Sequence, residues 1–147
     1  MRTVLCALAL AMLLPAPARA WLGGDADSIR ADAERMNSSA RATAATSCTV
    51  YEMETPAGTR VREFVSPTGR VFAVTWQGAS LPDLRQLLGA FFERYVTADN
   101  ALGAGAASRV IDQPDFVVHA GGHLRAFVGR AYLPAAMPPG VALADLR

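Results

Sequence analysis

Three runs rich in β-branched and aromatic residues, CTVYEMET, RVREFVSP and RVFAVTWQG, follow one another from Cys48 to Gly78. They are separated by spacers of one design, Pro56-Ala57-Gly58 and Pro67-Thr68-Gly69. In each spacer proline presets φ for the first turn position and glycine supplies the left-handed third, which suits a three-residue hairpin loop with a bulge. Runs of this composition, bounded in this way, predict a three-stranded antiparallel meander. Loop length then fixes register: pairing Thr55 with Thr59 sets Glu54 opposite Arg60, Glu52 opposite Arg62 and Val50 opposite Phe64, with Met53 on Val61 and Thr49 on Val65. Opposite charges facing across strands favour this register by a few tenths to ~1 kcal/mol each. Carried through the second loop without interruption, the same count sets Phe64 opposite Phe72, Arg62 opposite Val74 and Arg60 beside Trp76, a cation–π geometry.

The meander is followed by GASLPDLRQLLGAFFERYVTADN, in which Leu84, Leu87, Leu88, Phe91, Phe92 and Tyr95 recur at helical spacing. Such a stripe predicts a helix packed on the sheet. Ser80 with Asp83 resembles a capping box, and Pro82 suits a first turn. Ahead of the meander, Ile29, Ala33 and Met36 mark a weak amphipathic helix with Asp25 at its N-cap, and residues 37–47 read as a linker. The segment from Asp99 to Ser108 reads as a flexible connection. At the far end Tyr132 and Leu133 are expected to close the final strand, and Pro139-Gly140 precedes a last short helical turn.

Both histidines of the chain lie in FVVHAGGHLRAF, residues Phe116 to Phe127. A three-residue loop of Ala120-Gly121-Gly122, like the two upstream, pairs His119 with His123. It collects Phe116, Val118, Leu124, Ala126 and Val128 on one face, with Asp115, His119, His123 and Arg125 on the other. Two imidazoles so placed sit ~5 Å apart at Cβ, close enough to hold one metal ion. Zinc normally takes at least three protein ligands, however, and Asp115 lies ~13 Å along the strand. No metal or cofactor is therefore expected there.

The first twenty residues stand apart from this fold. A basic Met1-Arg2-Thr3, an apolar run from Val4 to Leu14 and small residues ending at Ala20 are the pattern of a secretory signal peptide cleaved after Ala20. The run falls short of the ~20 residues a spanning helix needs. Removing it takes Arg2 and Arg19 away, which leaves twelve arginines, no lysine and 13 carboxylates. Near neutrality argues against a nucleic-acid binder, which needs a basic surface to displace counterions. Cys48 is the single thiol that remains, either a small buried group or half of an interchain disulfide. Catalytic signatures are missing: there is no G-x-S-x-G, no phosphate loop with lysine, no H-E-x-x-H and no cysteine pair. Glu52 and Glu54 share one strand and face arginines, so they form an ion-pair face and not a glycosidase pair.

The segment Trp21-Leu-Gly-Gly-Asp-Ala-Asp-Ser28, then REFVSPTGRVFAVTWQGASLPDLRQLLGAFFERY and VVHAGGHLRAFVGRAYLP, resembles the domain of unknown function 2844 family of small exported bacterial proteins. The resemblance implies export in a Gram-negative bacterium and carries no assigned activity and no catalytic residues.

The expectation is thus a signal peptide over 1–20, an N-terminal helix and linker over 21–47, and an α+β domain over 48–147. That domain has an antiparallel sheet of about five strands and one covering helix. The expected role is that of an exported, periplasmic or secreted binding or assembly protein without enzymatic activity. Its partner would be a protein or envelope component, met through a sheet face. Arg60, Arg62, Phe64, Phe72 and Trp76 are the candidate surface, because arginine interleaved with aromatics is the composition of contact hot spots. His119, His123 and Arg125 add to it. The alternative is a small metal-binding or hydrolytic enzyme centred on the histidine hairpin.

Overall fold

The computed structural model describes residues 21–102 and 108–147. The expected signal peptide, its expected cleavage after Ala20 and the middle of the connection after Leu102 lie outside the described residues. The fold is α+β. Seven antiparallel strands, β1 (Arg41–Ala44), β2 (Thr49–Glu54), β3 (Arg60–Val65), β4 (Val71–Gly78), β5 (Ser108–Gln113), β6 (Phe116–His123) and β7 (Ala126–Tyr132), make one sheet in the order β1-β2-β3-β4-β7-β6-β5. The expected count of about five is short by the two edge strands. The four residues of β1 are all exposed, and in β5 only Ile111 is buried, so neither leaves an alternation to read. What read as a linker is therefore strand at Arg41–Ala44, held by main-chain pairing to β2.

The first hairpin has the expected register at all five positions, from Thr49 opposite Val65 to Glu54 opposite Arg60. Thr55 N donates to Thr59 O at 2.9 Å, and Gly58 takes φ 76° as the loop requires. The second loop also closes as expected, Ser66 N to Arg70 O at 2.9 Å with Gly69 at φ 81°. Beyond it the register departs. Val65 pairs with Val71 but Phe64 pairs with Ala73, so Phe72 is an extra residue and the remaining partners shift by one. Arg62 faces Thr75, Arg60 faces Gln77, and Trp76 stands opposite Val61. Physically, the bulge divides an unbroken apolar run between two cores. It sends Val71, Val74 and Trp76 to one side of the sheet, and Phe72 and Ala73 to the other.

Helices cover one side. α1 (Ile29–Arg35), entered through a 3₁₀ turn at Ala26–Ser28, buries Ile29 and Ala33, and Met36 follows. Asp25 occupies the N-cap position in extended conformation, with no side-chain cap bond. The expected covering helix is broken into α2 (Leu84–Leu88) and α3 (Phe92–Leu102), joined by a 3₁₀ turn at Gly89–Phe91. Gly89 has φ 52°, and a Cβ on it would fall 2.2 Å from the Trp21 ring, so a side chain is excluded twice over. Asp83 is the N-cap of α2, accepting from Gln86 N at 3.2 Å, whereas the Ser80 hydroxyl lies 2.9 Å from that of Thr59 and forms no box. α3 runs on through Asp99 to Leu102, residues that read as connection.

On the opposite side a smaller core of Phe64, Phe72, Ala73, Val117 and Tyr132 is closed by the C-terminal segment, whose Leu146 is 3% exposed. That segment carries 3₁₀ turns at Pro134–Ala136 and Leu143–Asp145, the second being the expected last helical turn. It covers only part of this face.

Candidate functional site

Where the C-terminal segment stops, the sheet is open. Register places Arg60 and Arg62 of β3, Thr75 and Gln77 of β4, Val128 and Arg130 of β7, His119 and Gly121 of β6 and Val110 of β5 on this side. Together they line a trough of about 440 Å³, closed at one end by Leu146 and Arg147. Its size lies within the ~300–1,000 Å³ usual for ligand clefts. Val110 of the edge strand β5 and Val128 of β7 are 58% and 53% exposed, two apolar side chains left uncovered on this face. Gly121 contributes no side chain, which deepens the floor.

The trough is basic. Arg62 Nε bonds Glu52 Oε2 at 2.6 Å, Arg60 Nε lies 3.8 Å from the other oxygen of the same carboxylate, and Arg109 pairs with Asp99. One carboxylate thus serves two guanidinium groups. Arg62 and Arg130 also hold the C-terminal segment: Arg62 Nη1 donates to Arg147 O, and Arg130 Nη1 donates to Leu143 O at 3.0 Å, which leaves further N–H groups of both guanidiniums uncommitted. Arg130 Nη2 lies 3.1 Å from His119 Nδ1. A guanidinium has no acceptor, so the ring nitrogen accepts and the ring proton belongs on Nε2, which is free to donate. The edge of His119 meets Tyr132 at 6.4 Å between centroids.

The expected surface is present in part. Arg60, Arg62 and His119 line the trough. Phe64 and Phe72 adjoin, with centroids 6.2 Å apart, but both are buried under the C-terminal segment. Trp76 borders the trough, yet the bulge turns its ring to the helix side, where it is 1% exposed, so it makes no cation–π contact with Arg60. Arginine instead meets aromatics in the helix layer, Arg94 over Phe91 and Phe116 and Arg85 over Phe92.

The histidine hairpin is corrected. Gly121 and Gly122 lie within β6, and the turn falls at Leu124-Arg125, with Arg125 at φ 67°. His119 pairs with Arg130 and His123 with Ala126, so the imidazoles are four residues apart on one strand, ~13 Å at strand rise. They cannot share an ion. The glycines serve close approach: a Cβ on Gly122 would fall 2.1 Å from Ala126 O. His123 and Arg125 are exposed near the hairpin tip, outside the trough lining. Asp115 sits in the β5–β6 turn, not on a strand face. Arg94 grips both its oxygens at 2.8 Å, and that hydrogen bonding holds its carboxyl below the usual range. Among the described residues no three His, Cys, Asp or Glu side chains gather as a metal-binding group.

Three contributors escaped sequence reasoning. Arg130, Val128 and Val110 come from strands whose register was misread or absent, and alternation counted from Tyr132 back along β7 was the signal that pointed to the first two. Cys48 is half-buried, its thiol pushed up by burial and by nearby Asp145.

Fold and site together define an α+β protein with one sheet face packed by helices and the other partly open, basic and apolar. The chain belongs to the family described as Protein of unknown function (DUF2844), matched over residues 18–146. No curated protein and no solved structure matches it. No helix among the described residues is long and apolar enough to cross a membrane.

Proposed function

We propose that this is an exported binding or assembly protein, without enzymatic activity, that receives an acidic, aliphatic-bearing extended segment of a partner protein in the open trough. One observation carries the reading: Arg60, Arg62 and Arg130 converge on a concavity that leaves Val110 and Val128 uncovered. Ligand clefts combine apolar lining with a few convergent polar groups in this way. A peptide is favoured over other anions because a polypeptide segment, residues 133–147, already packs on the same face through a buried leucine and main-chain oxygens. There Leu146 is buried, and Leu143 O and Arg147 O accept from Arg130 and Arg62. Planar guanidinium forks suit carboxylates equally well. Export rests on the charge and hydropathy pattern of the first twenty residues.

The test is fluorescence anisotropy with a dye-labelled peptide of alternating glutamate and leucine. Saturable binding is expected, weakened at least tenfold in the R62A/R130A double variant and weakened by salt, as screening demands. Equal binding by the double variant, or by a lysine–leucine control peptide, contradicts the reading.

A further inference from the structure

On the far side of the sheet a carboxyl group is buried where nothing neutralises it. Glu63 of β3 is 0% exposed, and neither carboxyl oxygen has a hydrogen-bond partner. Interior carboxylates without partners are rare, because desolvation disfavours the charged form strongly. Among the described residues no cation pairs with it. Register puts Tyr51 of β2 and Val74 of β4 beside it, and Val61 and Val65 flank it on its own strand. Val61, Val65 and Val74 share one core with Ile29 and Ala33 of α1, and from that helix Asp32, itself 1% exposed, acts on the carboxyl. Two donors of the helix layer are committed to Asp32: Arg35 Nη1 at 2.6 Å and Gln86 Nε2 at 3.1 Å reach its Oδ1. Arg85 of α2 is turned outward to Glu93.

We infer that Asp32 and Glu63 form a proton-controlled latch, in which the proton on Glu63 lets α1 seat on the sheet and its loss loosens α1. Asp32, held by Arg35 and Gln86, keeps its charge, so the proton resides on Glu63. Burial first, and then Asp32, raise the Glu63 pKa from 4.5 to about 8. The sign follows by linkage: the folded state retains a proton that the unfolded chain releases, so this group's support is complete below about 4.5 and is lost as the pH rises to about 8. A groove lined by Trp21, Asp32, Arg35 and Gln86 brings solvent to the Asp32 side of the pair.

The test is urea unfolding of protein spanning residues 21–147 between pH 5 and 9, wild type against Glu63→Gln, whose amide does not titrate. One proton predicts an unfolding constant that rises about tenfold per pH unit in the wild type relative to the variant, levelling near pH 8. Parallel curves would overturn the latch. Carbon-13 NMR of the glutamate carboxyls reads the same group without a variant. A midpoint near 8, moved down in Asp32→Asn, supports the inference, and a midpoint near 4.5 removes it. Amide exchange, corrected for its intrinsic pH dependence, completes the test: α1 amides lose protection before those of β3 and β4 as the pH rises, whereas uniform loss contradicts a local latch.

Discussion

Gly129 shows how one residue positions both faces of the sheet. It pairs with Trp76 across β4 and β7, and a Cβ on it would fall 2.1 Å from the indole ring. The ring lies over that gap on the helix side, while the same backbone borders the trough on the other. Gly129→Ala is therefore expected to overpack the core and cost about 1–3 kcal/mol, the usual range when a filled interior gains a methyl group. Urea denaturation measures it, and an unchanged midpoint would mean the indole has room to move. Glu63 belongs to the same scale and runs opposite to Asp115. The first is a buried acid that weakens the fold as the pH rises. The second is an exposed acid, lowered chiefly by its Arg94 hydrogen bond, whose support fades as the pH falls through its depressed range.

At the scale of elements, the C-terminal segment decides how much of the open face is available. Leu146 is its anchor, buried against Phe64, Phe72, Val117 and Tyr132. Leu146→Ala should destabilise the protein by about 2–5 kcal/mol, as truncations of buried leucines do. Thermal unfolding checks this, and a loss below 1 kcal/mol would show that the terminus rests on the face without being packed into it. The first hairpin was legible in the sequence because loop length and three alternating pairs agree on one register. The second was legible only as far as its loop. An apolar run such as Val71-Phe-Ala-Val74 has no polar residue to mark which face is inside, so the bulge at Phe72 left no trace in the pattern. Gly121-Gly122 misled for a related reason: the pair reads as a turn, while its use here is close backbone approach beside a turn made by Leu124-Arg125.

For the whole molecule, the sheet separates two environments, a packed layer holding a buried acid and a partly open face holding arginines. Arg60, Arg62 and His119 were legible as surface residues, but the trough was not, because it forms only when β7 returns to pair with β4 and brings Arg130 and Val128 beside β3. No local pattern encodes that long-range pairing. We propose that this open face is where the protein works. Amide chemical-shift mapping of isotopically labelled protein spanning residues 21–147, titrated with the glutamate–leucine peptide, tests this. Shifts should concentrate at Arg62, Val110, His119, Val128 and Arg130, with the α2 and α3 resonances unmoved; shifts confined to the helix face, or none at saturating peptide, would contradict it.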